Sequence, residues 1–189
     1  MKQLSTARRA KSWLKTVRGG RVTLGELTDA LGERGFGFLL LALTLPNVLL
    51  IPSVPVLPLI PGIPAMLLCM QMVLGRRSPW LPGWAARLSV RKEHAEKCIR
   101  FAGWMSSAAR PRLPWLTGPV GERVLGAVAL LLTAVLCVPI PGVNLLTAMG
   151  TLALALGMAE GDGLLAAAGS VTGICGAALT VWVLAALAA

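Results

Sequence analysis

Two stretches of the chain, 35–74 and 124–158, run without one charged side chain, and proline cuts both. The first, about 40 residues long, is GFGFLLLALTLPNVLLIPSVPVLPLIPGIPAMLLCMQMVL. A run of that length suits a lipid bilayer. Yet Pro46, Pro52, Pro55, Pro58, Pro61 and Pro64 interrupt it, each lacking a backbone donor and crowding the preceding turn. The pattern predicts a helix from about Gly35 to Leu45, an irregular Pro-rich middle, and a second helix from about Pro64 to Leu74. The second stretch is broken at Pro139, Pro141 and Gly142. Its roughly 35 residues are too few for two full spans and a turn, so a hairpin of two short helices, re-entrant or spanning, is expected. After the acidic hinge Glu160-Gly161-Asp162-Gly163 comes one conventional span, Leu164 to Ala188. The expected fold is an all-α integral membrane protein. It has two proline-broken helical hairpins, a basic interfacial region between them, and a C-terminal transmembrane helix.

The polar flanks set the orientation. All 18 Lys and Arg lie in residues 1–34 and 75–123, which marks both regions as cytoplasmic. The net charge of +10 thus reads as attraction to anionic lipid rather than to nucleic acid. Residues 1–22 form a basic tail without an apolar core of signal-peptide length, so no cleaved leader is expected. Residues 23–189 form a single membrane domain. Thr23 and Glu26 have capping-box spacing, and Leu24, Leu27 and Leu31 then share one face of a short helix over 23–34. In 75–123 an amphipathic helix is expected from about Ser89. Trp80, Trp84, Trp104 and Trp115 suit headgroup depth. The hinge carries no Lys or Arg; if the second hairpin also returns, the carboxyl terminus is extracytoplasmic.

The two apolar stretches resemble each other. Glu33-Arg34, Gly37 and Thr44 correspond without a gap to Glu122-Arg123, Gly126 and Thr133. Ile60-Pro61-Gly62-Ile63 resembles Ile140-Pro141-Gly142-Val143, and each copy runs on into an apolar helix that stops at a glycine, Gly75 or Gly157. A duplication of this kind brings the two breaks together near a pseudo-two-fold axis. The basic flanks favour two copies that start on the same side over an inverted pair. In the last span Gly169, Gly173 and Ala177 recur every four residues. That stripe permits close helix packing, within the chain or in a homodimer.

The apolar stretches contain no Asp, Glu, His, Lys or Arg. His94 and Cys98 stand four apart in the basic region, but two ligands do not close a metal site, and His94 reads as a surface histidine. Four dispersed cysteines form no C-x-x-C and predict neither zinc nor a disulfide framework. No phosphate loop or nucleophile elbow is present. The chain is therefore expected to be no enzyme and to need no cofactor or metal. Polar groups near the breaks are the candidates for a substrate or ion: Thr44, Asn47, Ser53, Gln71, Thr133, Asn144 and Thr147. The helix ends at Pro61-Gly62 and Pro141-Gly142 join them. The same side chains could simply satisfy broken backbone. Glu33, Arg34, Arg110, Arg112, Glu122 and Arg123 are candidates for structural ion pairs or lipid-phosphate contacts.

At these residues the sequence resembles the ExoD family, membrane proteins linked to bacterial exopolysaccharide synthesis. The resemblance runs from Thr23 to the carboxyl end. It is carried by TLGELTDALGERGFG (Thr23 to Gly37), LPN (Leu45 to Asn47), the stretch to Pro64, LGRRSPWLPGW (Leu74 to Trp84), RPRLPWLTGP-x-x-ER (Arg110 to Arg123) and PIPGVN (Pro139 to Asn144). It implies a bacterial inner-membrane protein tied to exopolysaccharide production and to tolerance of alkaline conditions. No catalytic residues carry over from it. Two functions remain open: a small transporter or permeation protein working on an ion, polar solute or lipid-linked intermediate at the paired breaks, and a non-transporting accessory docked on the exopolysaccharide machinery.

Overall fold

The computed structural model describes residues 20–23, 25–26, 35–50, 59–76, 78–87, 89–92, 96, 100, 112–113, 115–138 and 144–188. Among them are five long helices, α1 (Gly35–Leu50), α2 (Leu59–Val73), α4 (Pro119–Leu136), α5 (Asn144–Glu160) and α6 (Gly163–Ala188), and a single turn, α3 (Gly83–Ala86). A small ribbon departs from the all-helical expectation: β1 (Arg21–Thr23) pairs antiparallel with β2 (Ser89–Arg91), Val22 opposite Val90. The amphipathic helix expected from Ser89 therefore starts later, with Lys92, Glu96 and Arg100 helical. Strand pairing claims the backbone groups of 89–91 first, and Lys92 N extends it by donating to Gly20 O at 3.1 Å. The capping box is in place: Thr23 N donates to Glu26 Oε2 (2.9 Å) and Glu26 N to Thr23 Oγ1 (3.2 Å). The Leu24, Leu27 and Leu31 face, Ser53, His94, Cys98 and Trp104 lie outside the described residues.

Three helix ends differ from expectation, each for a physical reason. α1 does not stop at Leu45 but runs through Pro46 to Leu50. A mid-helix proline costs about 3 kcal/mol, whereas unwinding in apolar surroundings would strand several amides at a comparable cost each. α2 begins at Leu59, so Pro61 and Gly62 lie inside its first turn rather than in a break. First-turn N–H groups have no intrahelical partner, which makes Pro61 harmless there. α5 continues past Gly157, which is buried within it, and ends at Gly161 with φ +72°. Gly75, φ +72°, ends α2 in the same way. At both ends the C-terminal turn closes with the same two bonds: Gly75 N to Met72 O and Arg76 N to Gln71 O, then Gly161 N to Met158 O and Asp162 N to Gly157 O. This is the pairing that a left-handed glycine cap provides.

The helices pack as two interlocked hairpins with α6 against them. α1 and α2 form one hairpin and α4 and α5 the other; α1 lies on α5, and α2 on α4. α1 is buried nearly all round from Phe36 to Leu45, as befits a helix without a polar face. Gly37 and Gly126, matched in the sequence, occupy matched contacts. A Cβ on Gly37 would lie 3.0 Å from Ala155 O in α5, and one on Gly126 would lie 2.8 Å from Met72 Cβ in α2. Thr44 and Thr133, also matched, donate their hydroxyls back to Leu40 O and Ala129 O, each at 2.7 Å.

The most extensive seam joins α5 to α6. Gly150 meets Gly173, Gly157 meets Ala166, and Thr147 meets Gly176, backbone nearly on backbone. Gly169 is filled by Leu154 and Gly150 of α5, and Gly173 also by Leu132 of α4; Ala177 is buried. The small-residue stripe is thus used within the chain. In this register Asn144, where α5 begins, stands level with about residue 179 of α6. The last helix then continues about nine residues, some 13 Å, beyond the start of α5.

Large apolar side chains face outward on four helices: Ile63, Leu67 and Met70 on α2, Val120, Val124 and Leu131 on α4, Leu145, Leu146 and Met149 on α5, and Val171, Ile174, Val181 and Trp182 on α6. Water does not favour such a surface over a soluble protein's usual scattered apolar residues. Pro119–Leu136 and Gly163–Ala186 are long and apolar enough to cross a membrane.

Candidate functional site at the hairpin tips

All five long helices have one end on the basic side of the molecule, and on the other side the start of α2 meets the end of α4, the helix ends that flank the two hairpin tips. A Cβ on Gly62, in the first turn of α2, would stand 2.6 Å from Sγ of Cys137, the residue that caps α4. Gly62 is buried and Pro61 half-buried. Cys137 N closes the last turn of α4 onto Thr133 O (3.1 Å) and Ala134 O (3.2 Å), and Val138 N bonds Val135 O (3.0 Å). The carbonyl of Val138, just past the end of α4, accepts Asn144 Nδ2 at 2.7 Å. Asn144 thus ties the start of α5 to the end of α4, the backbone-satisfying role that a break requires.

The rest of its amide is not so satisfied. Asn144 Oδ1 and, one turn on, Thr147 Oγ1 are buried without a hydrogen-bond partner among the described residues. Thr147 Oγ1 faces α6, where a Cβ on Gly176 would approach it to 2.7 Å. Around it Thr151 Oγ1 donates to Thr147 O (2.8 Å) and Thr180 Oγ1 to Gly176 O (2.9 Å). A buried orphan of this kind costs about 1–3 kcal/mol unless something pairs with it. Two together make the tip of the second hairpin the most polar-deficient point among the described residues.

The other candidates divide. Asn47 belongs to α1 by its backbone, its side chain lying outside the described residues, as do Glu33, Arg34, Arg110, Pro141 and Gly142. Gln71 is at the opposite end of α2 from Gly62. There its Nε2 donates to Trp80 O and its Oε1 accepts from Trp80 N, both at 2.7 Å, fastening the PWLPG segment to the helix. Arg123 places its guanidinium against Gly75, 2.7 Å from Nε to a Cβ built there, at the carbonyl end of α2 where a cation is favoured. Glu122 sits in the first turn of α4, where an acid is favoured. Arg112 is exposed, but its carbonyl accepts Gly163 N at 2.7 Å, so this segment braces the α5–α6 hinge. Asp162, not singled out from the sequence, is buried and caps α6, its Oδ1 accepting Leu164 N and Leu165 N at 3.1 Å each. An Asp before an apolar run was the available signal. Among the described residues no three His, Cys, Asp or Glu side chains group as metal ligands.

Packed apolar helices, an outward face of large aliphatic side chains and two helices long and apolar enough to cross a membrane suit an all-helical protein of membrane type. The chain belongs to the ExoD family: the family model described as exopolysaccharide synthesis, ExoD, matches residues 9–182. The match starts within the basic tail, earlier than the resemblance seen from Thr23. The chain is 32% identical to protein ExoD of Rhizobium meliloti over 164 residues, covering 82% of this chain and 68% of that protein. It is 30% identical to an uncharacterised protein of Synechocystis sp. over 166 residues, covering 84% of this chain and 77% of that one. No solved structure matches.

Proposed function

We propose that the chain is a multi-pass inner-membrane protein of exopolysaccharide synthesis that passes a small polar species between two re-entrant hairpin tips, and that it is not an enzyme. The observation that carries this reading is the meeting of helix ends at Gly62 and Cys137, together with Asn144 Oδ1 and Thr147 Oγ1, buried and unpaired among the described residues in the first turn of α5. Depth supports re-entry. α1, α2 and α5 are 15–17 residues long, about 22–26 Å, short of a hydrocarbon core of roughly 30 Å. α6 meanwhile goes on beyond the tips without a charged residue. The shared positions of Gly37 and Gly126, Thr44 and Thr133, and Gly75 and Gly161 support a duplicated hairpin whose copies start on the same side. The basic end, with Arg76, Arg87 and Arg112 beside exposed Trp80, Trp84 and Trp115, suits anionic lipid headgroups.

Flux of a panel of ions and neutral solutes into proteoliposomes tests the reading, wild type against Asn144→Leu. Wild-type flux that the variant lowers is expected; no flux of any solute would leave the second reading, an accessory that docks on the exopolysaccharide machinery through its basic, tryptophan-bearing end. That second reading is favoured by the exposure of those three indoles and arginines on one end of the molecule.

A further inference from the structure

The buried polar atoms at the tips select a ligand by charge and by hydrogen-bonding sense. Asn144 is 6% exposed and Thr147 fully buried. They stand three residues apart at the start of a 17-residue helix, a spacing that sets their side chains about 5–6 Å apart on one face. The bond from Asn144 Nδ2 to Val138 O pins the amide and leaves Oδ1 buried with no hydrogen-bond partner among the described residues. An amide oxygen only accepts, so an anion is turned away there. A cation meets a different obstacle. The amino end of α5 carries the positive pole of its dipole, and neither apolar stretch holds a carboxylate to balance a charge in a medium of low dielectric. A neutral hydroxyl answers both demands. It donates to Asn144 Oδ1 and exchanges a bond with Thr147 Oγ1, while its lone pairs suit the N–H groups that the first turn of a helix leaves without intrahelical partners.

We propose that Asn144 and Thr147 form a binding site for a neutral hydroxylic ligand, either water or a small polyol. The proposal rests on reading the tips as a point of permeation and narrows what passes there.

The test uses the full chain, first in detergent and then in proteoliposomes. Thermal melts are run in glycerol and in betaine, an osmolyte without a hydroxyl, for wild type, Thr147→Val and Thr147→Ser. Valine keeps the shape and removes the hydroxyl; serine keeps the hydroxyl and serves as the folded reference. Glycerol is expected to raise the midpoint of wild type and Thr147→Ser beyond the betaine effect. For Thr147→Val the glycerol concentration needed should rise about three- to tenfold, the loss of one ordinary hydrogen bond. Stopped-flow swelling then separates the sources: glycerol entry reduced in Thr147→Val marks a polyol, and reduced osmotic water flow with no glycerol entry marks water. Glycerol-specific stabilisation without any flux keeps the site and overturns the permeation reading. Rubidium flux with wild type and Thr147→Val alike in glycerol does the reverse, and a valine variant that matches wild type in every arm overturns the proposal.

Discussion

Gly150→Ala is the sharpest test of the packing described above. The new methyl would overlap Gly173 N and stand 2.8 Å from Gly169 O, and both obstacles are backbone. Restoring ordinary contact needs the α5–α6 axes to part by on the order of 1 Å, and a gap of 0.5–1 Å forfeits a quarter to a half of each affected dispersion contact. The loss spreads along the seam, because Gly157 against Ala166 and Gly176 against Thr147 share the same register. Overpacking usually costs about 1–3 kcal/mol; with backbone on both sides, about 3 kcal/mol or more is expected here. For a chain of this size that is a fall of roughly 6–12 °C in the melting midpoint. Gly173→Ala should cost less, since Leu132, whose side-chain carbons lie nearest, can rotate away. Gly83→Ala, with nothing within 4 Å, should stay within about 0.5 kcal/mol of wild type. The assay is reversible unfolding in mild detergent of all three variants. Equal stabilities for Gly150→Ala and Gly83→Ala, or Gly173→Ala falling furthest, would refute the seam as drawn.

Four further outcomes follow from other contacts. With the remaining cysteines replaced, Gly62→Cys should form a disulfide with Cys137 under mild oxidant, seen as a mobility shift lost in Cys137→Ser; its absence would separate the tips. Gln71→Leu should cost about 1–3 kcal/mol by stranding both main-chain groups of Trp80 and should speed amide exchange over 78–84. Asp162→Ala should cost about 1–2 kcal/mol through loss of the α6 cap, with Asp162→Asn recovering most of it in the same melts. The bond from Thr23 N, and then the Thr23 hydroxyl, hold the Glu26 carboxyl below its usual range. Its small stabilisation is therefore present above the ordinary carboxylate pKa and lost as pH falls toward the depressed one. Carboxyl NMR titration should show the low value in wild type and a smaller depression in Thr23→Ala, which removes the hydroxyl but keeps the main-chain donor.

The sequence pattern located the elements better than their ends. The charge-free runs marked both hairpins, and Thr23 with Glu26 gave the capping box, because those signals depend on near neighbours and on solvent. Pro46 misleads, because the cost of one missing bond is local and visible in the sequence, while the larger cost of unwinding beyond it depends on the apolar surroundings. Gly157 misleads for the opposite reason: a glycine at the end of an apolar run predicts a stop, yet its missing side chain serves the approach of Ala166, and the left-handed stop falls at Gly161. Ser89 to Arg91 extend rather than coil because their partner is Arg21 to Thr23, about seventy residues away. Asn144 was legible as a polar residue near a break. What no pattern could reveal is that one side of its amide is spent on Val138 while the other is left bare.

The overhang of α6 gives the molecule two hydrophobic lengths. Its hairpins reach about 22–27 Å and its last helix about 39 Å, so no single leaflet pair matches both. On the membrane reading proposed above, lipid would have to thin around the shorter helices or the long helix would have to lean. The acyl-chain length of the host membrane would then act as a control on the protein: short-chain lipids would bring the aqueous phase down onto the Gly62–Cys137 junction, and long-chain lipids would seal it.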